Sequence, residues 1–252
     1  MRQVRLGRHV FGLAAMAFGI ITLIWRQIDS LGNLSHPGIL IYFFGIFELI
    51  GGFAIQWRRT AKVGAIILSA VFLIFSFYWL PQIVKTPLDF APYGNFFEQF
   101  SIFLGGTLIF TSTIPSHPET AAKIERSAYI SFGICVISFA LYQLLYLTYT
   151  ASLVPKWIPP GQMFWTVATT IAFALAGFAI LSGRSAYLAS TLLTTMILLF
   201  GVLIWVPACV IHPHEMSNWV ENSTNFAIAG SAWIVVDYLA EERTGAHENP
   251  PS

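Results

Sequence analysis

Charge is what this sequence has least of. Only 10% of its 252 residues are Asp, Glu, Lys or Arg, against 56% hydrophobic, and the mean hydropathy is +0.69. A soluble domain carries about a quarter of its residues charged. So few charges cannot cover a water-facing surface of this size, and the bilayer is the expected main solvent. The net charge is +1, and no basic patch is interleaved with stacking aromatics, so nucleic acid is not an expected partner. There are two cysteines, Cys135 and Cys209, and no CxxC, which removes both a disulfide framework and a direct dithiol centre. Cys135 lies inside an apolar run and reads as a small hydrophobe. No phosphate-binding glycine loop, nucleophile elbow or HExxH zinc motif occurs, so any chemistry must be spread over several helices.

Long hydrophobic runs are what the sequence has in abundance. A hydrocarbon core of about 30 Å needs about 20 mostly apolar residues per helix. Eight runs qualify, at 9–26, 37–57, 62–80, 96–114, 127–148, 163–182, 186–206 and 223–240. They predict an all-α polytopic membrane protein of eight spans. The opening MRQVRLGRHV with the apolar stretch after it imitates a signal peptide, but no small-x-small cleavage site follows, so it reads as an uncleaved first helix. One side of the spans collects Arg2, Arg5, Arg8, Arg58, Arg59, Lys62, Lys123, Arg126, Arg184 and Arg243; the other has only Arg26, Lys85 and Lys156. Ten against three places both termini in the cytoplasm, in a cell membrane. The longer loops, rich in Pro, Trp and acids, then lie outside.

The chain also repeats itself. GGFAIQWRRTA (51–61) lies over AGFAILSGRSA (176–186) at a shift of 125, and WLPQIVKTPLD (79–89) lies over WVPACVIHPHE (205–215) one residue later. A further gap brings Glu98 over Glu221. The expected organisation is a four-helix unit at 1–115, a cytoplasmic linker at 116–126, a second unit at 127–240 and a disordered tail at 241–252. An even helix number gives both copies the same orientation, as parallel repeats. Two bundles side by side are expected, related by an axis near the membrane normal.

YFFGIFELIGGFAIQWRRTAKVGAIIL (42–68), with its Gly-x-x-Glu-Leu-x-x-Gly stretch running into Arg-Thr-Ala, resembles the second-to-third helix signature of the DoxX-like membrane proteins. The WLP segment resembles that family's loop before its fourth helix. The likeness covers most of residues 8–112 and is weaker in the second half. It implies four-helix membrane units, some linked to quinone-coupled sulfur oxidation or thiol redox stress, others to assembly of partner membrane proteins. A redox- or quinone-linked membrane subunit or accessory factor is therefore the leading expectation. The alternatives are a small-molecule or ion transporter using the interface between halves, and an assembly factor. Quinone or lipid is the implied ligand, and the bilayer, a partner membrane protein or a second copy of the chain the implied partners. Two departures stand out: Phe173 takes the place of Glu48 in the second copy, and CxxC is missing.

Glu48 is the first candidate site residue. A carboxylate in hydrocarbon costs several kcal/mol, so it must face the bundle, be protonated or find a partner. Gly45, Glu48 and Gly52 form one helical stripe along which a neighbouring helix can approach closely. Glu48 could carry a proton, hydrogen-bond a quinone or simply tie two helices together, and Tyr142 and Gln143 on the fifth span are its possible neighbours. The outer loops supply the other candidates: Asp89, Glu98, Glu215, Glu221, His212 and His214. His212-Pro-His214-Glu215 tempts a metal reading, but zinc needs three or four converging ligands and the proline keeps both rings off one helical face. Even with His36 or another outer acid added, no metal site is expected there; a solvated loop is. Because the histidines occur in one copy only, Glu215 and its counterpart Asp89 are the better candidates.

Overall fold

The computed structural model describes residues 6–32, 38–114 and 118–248, with side chains through 243. Arg2, Arg5 and His36 lie outside the described residues. All regular elements among them are helices. The first half holds α1 (Leu6–Trp25), a 3-10 turn (Asp29–Leu31), α2 (Ile39–Ala54), α3 (Ala61–Tyr78), α4 (Leu80–Lys85) and α5 (Ala91–Ser112). The second holds α6 (Glu119–Leu145), α7 (Leu147–Leu153), α8 (Gln162–Ser182), α9 (Ala186–Phe200), α10 (Val206–Ile211) and α11 (Met216–Glu248).

Five stretches are long and apolar enough to cross a bilayer: Leu6–Trp25, Ala61–Lys85, Glu119–Leu145, Gln162–Ser182 and Ala186–Ile211. They give the chain the character of a helical membrane protein. Helix α2 is equally apolar but only 16 residues long. Helices α5 and α11 have the length, yet each carries a polar cluster in its first turns: Asn95, Glu98 and Gln99 on one, Glu221, Asn222 and Asn225 on the other.

Two boundaries differ from the sequence expectation. Most of the linker at 116–126 is already helix, since α6 starts at Glu119, and Lys123 Nζ lies 2.7 Å from Glu119 Oε1 one turn away. The tail expected to be disordered is helical through Glu248. Contacts that hydropathy does not register hold this extension: Tyr238 donates to Glu242 Oε1 at 2.6 Å, and the Arg243 guanidinium lies 5.0 Å from the centre of the Tyr187 ring.

Glycines bring α1 and α2 unusually close. Gly12 and Gly19 face Gly52 and Gly45, and a methyl group built on Gly19 or Gly52 would stand 2.5 Å from the carbonyl oxygen of Gly45 or Gly12. Only the absence of side chains permits this backbone-to-backbone approach. The far end of the seam is fastened by Gln56, whose Oε1 lies 2.7 Å from His9 Nδ1 and whose Nε2 donates to the Gly52 carbonyl at 3.1 Å.

The two halves do not close as separate side-by-side bundles. Helix α1 packs on α2 and on α11, whereas α6 packs on α8 and on α5. Within each half, α2 packs on α3 and α3 on α5, as α8 packs on α9 and α9 on α11. Helices α5 and α11 also meet each other, so each is shared between halves. They touch where a Cβ on Gly105 would collide with the side chain of Ser231. The two long helices that carry these polar clusters thus pack against each other between the halves.

Proline treats the two W-x-P segments differently. A proline ring clashes with the carbonyl four residues back and offers no N–H. Before Pro81 the chain breaks at Trp79, between α3 and α4. Before Pro207 it widens into a π turn over Gly201–Trp205 and stays helical into α10.

If the glycine seam is required, Gly52→Leu overpacks it and costs about 1–3 kcal/mol. Thermal unfolding of the purified protein in detergent reads the loss as a lower Tm; an unchanged Tm would show that the seam is not close-packed.

Candidate functional site

Glu48 is sealed in the protein, with 1% of its surface exposed. The Thr22 hydroxyl of α1 donates to its Oε2 at 3.4 Å, across the seam that Gly45 and Gly52 create. Tyr142 and Gln143 are not its neighbours. Gln143 Oε1 instead accepts from the hydroxyls of Thr169 (3.2 Å) and Thr170 (3.0 Å) on α8, and the Tyr142 ring lies against Gly94 of α5, where an added Cβ would stand 2.6 Å from it. The register of α6 explains this: its C-terminal third faces α5 and α8, away from the α1–α2 seam.

Tyr142 and Gln143 belong to a cavity of about 360 Å³ enclosed by α5, α6, α7, α8, α9, the π turn and α11. Glu98 of α5 and Glu221 of α11 both line it, together with Asn225. Protein surrounds both carboxyls, and the surface that each keeps faces the cavity. The two act on each other electrostatically, and Asp29, on the turn after α1, acts on both. No described side chain hydrogen-bonds or ion-pairs with either carboxyl. Among the described residues no Lys, Arg or His lines the cavity. Its remaining wall is mostly aromatic and aliphatic, including Phe139, Trp165, Phe173 and Phe200, with Thr150, Thr166, Thr169 and Thr224 among them. At about 360 Å³ it falls within the usual range of small-molecule pockets.

Local hydrogen bonds hold the mouth in shape. Gln162 Nε2 donates to the Val154 carbonyl at 2.6 Å and Trp165 Nε1 to the Pro159 carbonyl at 2.9 Å, closing the loop between α7 and α8. Trp79 Nε1 donates to the Ser30 carbonyl at 3.0 Å and pins the turn that carries Asp29. Asp29 is accessible but recessed among protein groups, and the lost hydration pushes its carboxyl above the ordinary range.

The HPHE segment has another character. His212, His214 and Glu215 are exposed, and among the described residues no three His, Cys, Asp or Glu side chains come together as a metal site. Glu215 accepts from Asn218 Nδ2 at 3.3 Å, and Trp219 Nε1 donates to the Pro213 carbonyl at 3.0 Å. The equivalent loop ahead of α5 is built alike, with the Tyr93 hydroxyl donating to the Pro87 carbonyl at 3.5 Å. There Asp89 Oδ1 accepts from the Tyr146 hydroxyl at 2.6 Å and from the Ala91 N–H at 3.1 Å. Asp89 and Glu215 are thus loop fasteners, whereas Glu98 and Glu221 face a cavity.

Sequence reasoning missed Asp29, Tyr149, Trp165 and Asn225. A usable signal was present for Asp29, an acid in a short connection between two apolar runs. For the others, only the packing of α7 and α8 against α11 makes them relevant.

No family model, curated protein or solved structure matches the chain. The site therefore has to be read from its own geometry.

The Tyr146 hydroxyl, followed by the Ala91 N–H, holds the Asp89 carboxyl below its ordinary value. A carboxyl depressed in the fold favours the folded state above its unfolded pKa of about 3.9, and that contribution is lost as pH falls through the folded value. Tyr146→Phe should therefore raise the Asp89 titration midpoint and shrink the stability that acid removes. Carbon NMR of the labelled Asp89 carboxyl checks this, and an unmoved midpoint would refute the role of Tyr146.

Proposed function

We propose that this chain is a small-molecule transporter of the cell membrane, with eight spans, cytoplasmic termini and a binding site between its halves. The observation that carries the reading is the cavity holding Glu98 and Glu221, which come from α5 and α11, the two helices shared between halves. An alternating-access site is expected at such an interface. An intramembrane carboxyl without a fixed partner is a functional group by default.

Several observations support two copies of one four-helix unit. The neighbours of α1 and α6 correspond, as do those of α5 and α11. Gly52 sits on Gly12 and Gly177 on Ile137, pairs that are both offset by 125. The Tyr93–Pro87 and Trp219–Pro213 bonds are both offset by 126. Gly105 and Ser231 are also offset by 126, and they touch each other, as equivalent residues must beside a two-fold axis. In that register Glu98 lies over Thr224 and Glu221 over Asn95. The carboxyls are therefore staggered by about one helical turn and are not strict equivalents.

A second reading keeps the DoxX-like resemblance and a quinone-linked role. Tyr142, Gln143 and Asn225 bring hydrogen-bonding groups into an aromatic-walled cavity, and those are the groups that hold a quinone head. In both readings the working acids are Glu98 and Glu221, and Glu48 ties α1 to α2.

Mass spectrometry of small molecules extracted from the purified protein tests this. Ligand should accompany the wild type and Glu48→Gln, and disappear from a folded Asn225→Trp variant whose cavity is filled. Equal extracts from wild type and Asn225→Trp, or none from the wild type, would remove the cavity from the function. Recovery of a quinone would favour the second reading.

A further inference from the structure

The cavity is electrically one-sided. Two carboxyls line it, a third, Asp29, adds to their field, and among the described residues no cationic side chain lines it. Enclosed charges are costly unless paired, so such a site favours an occupant that brings the missing positive charge. A bare metal ion fits poorly, because no three carboxylate, imidazole or thiol groups gather to ligate one among the described residues. A small inorganic cation would leave most of the 360 Å³ unfilled, along with the walls of Phe139, Trp165, Phe173 and Phe200. Aromatic faces attract organic cations, and the attraction grows when water is excluded.

We infer that the cavity binds a lipophilic organic monocation, its charge between Glu98 and Glu221 and its apolar body against the aromatic wall, in competition with protons. The inference rests on the small-molecule reading above and names the class of molecule. Cation and proton compete because both neutralise the same carboxyls. When the cation enters a protonated site, a proton leaves to the solvent and the charge in the cavity is unchanged. The other titratable groups facing the pair are Tyr142 on α6, Tyr149 on α7 and Asp29 on the turn after α1. Helices α8 and α9 and the π turn line the cavity with no titratable side chain.

The test is calorimetric titration of the full-length protein in detergent with methyltriphenylphosphonium and with triphenylphosphine oxide, its neutral counterpart of similar shape. The cation should bind at least ~10-fold more tightly than the oxide, since it alone gains a charge-assisted contact. Its affinity should rise with pH, with protons released to the buffer. Glu98→Gln and Glu221→Gln should each weaken the cation ~10-fold or more and leave the oxide unchanged. Melting curves establish that the variants fold. If either does not, the comparison of cation with oxide and the pH dependence in the wild type decide alone. Equal binding of cation and oxide would overturn the cationic class and leave the cavity reading standing. Binding of neither probe, with no ligand extracted from the native protein, would overturn both. Tighter cation binding that is independent of pH would overturn the competition with protons.

Discussion

The contact between α5 and α11 is the constraint around which the rest of the molecule is arranged. A bilayer offers nothing to a carboxyl or a carboxamide, so a chain that places Asn95, Glu98, Gln99, Glu221, Asn222 and Asn225 on two long helices must keep those helices away from lipid. Both face inward, and Gly105 lets them touch by leaving room for Ser231. Helices α1 and α6 then reach across to pack on the other half's last helix. The exchange leaves neither half able to enclose its own polar helix. Stability and the location of the cavity follow from the same arrangement.

Residue size distinguishes the two halves. In the first half α1 and α2 are drawn together through Gly12, Gly19, Gly45 and Gly52. At the offset of 125 the second half has Ile137, Leu144, Thr170 and Gly177, three of which are bulkier. There Gln143 of α6 accepts from the Thr169 and Thr170 hydroxyls of α8. Phe173, at the offset of Glu48, becomes a wall of the cavity, while Glu48 is enclosed with Thr22.

The pattern of helices was legible in the sequence because hydropathy over about 20 residues is a local property with a strong physical cause. The glycine stripe around Glu48 could be read for the same reason, since helical spacing fixes which residues share a face. The partners of Glu48 could not. Tyr142 and Gln143 lie at a plausible depth, but which helix they face depends on the rotation of α6, and local spacing does not set it. Glu98 and Glu221 resembled loop acids because they lie near the N-terminal ends of their helices. They differ from Asp89 and Glu215 only in facing inward, a difference fixed by the crossing at Gly105 and Ser231.

The same distinction governs the histidines. Two imidazoles beside a carboxylate look like chemistry on paper, yet a functional group needs convergence and enclosure as much as identity. His212 and His214 have neither, standing on a loop whose own bonds run from Trp219 to Pro213 and from Asn218 to Glu215. Glu98 and Glu221 have both: they come from different halves, they feel each other's charge and they share one cavity. The tyrosines follow the same rule. Tyr146 is committed to Asp89 in the loop between α4 and α5, whereas Tyr142, one helical turn earlier on α6, faces the carboxyl pair. A single turn of helix thus separates a residue that fastens the scaffold from one that lines the site. The chain places its chemistry by burial and convergence, and the most conspicuous motif lies outside it.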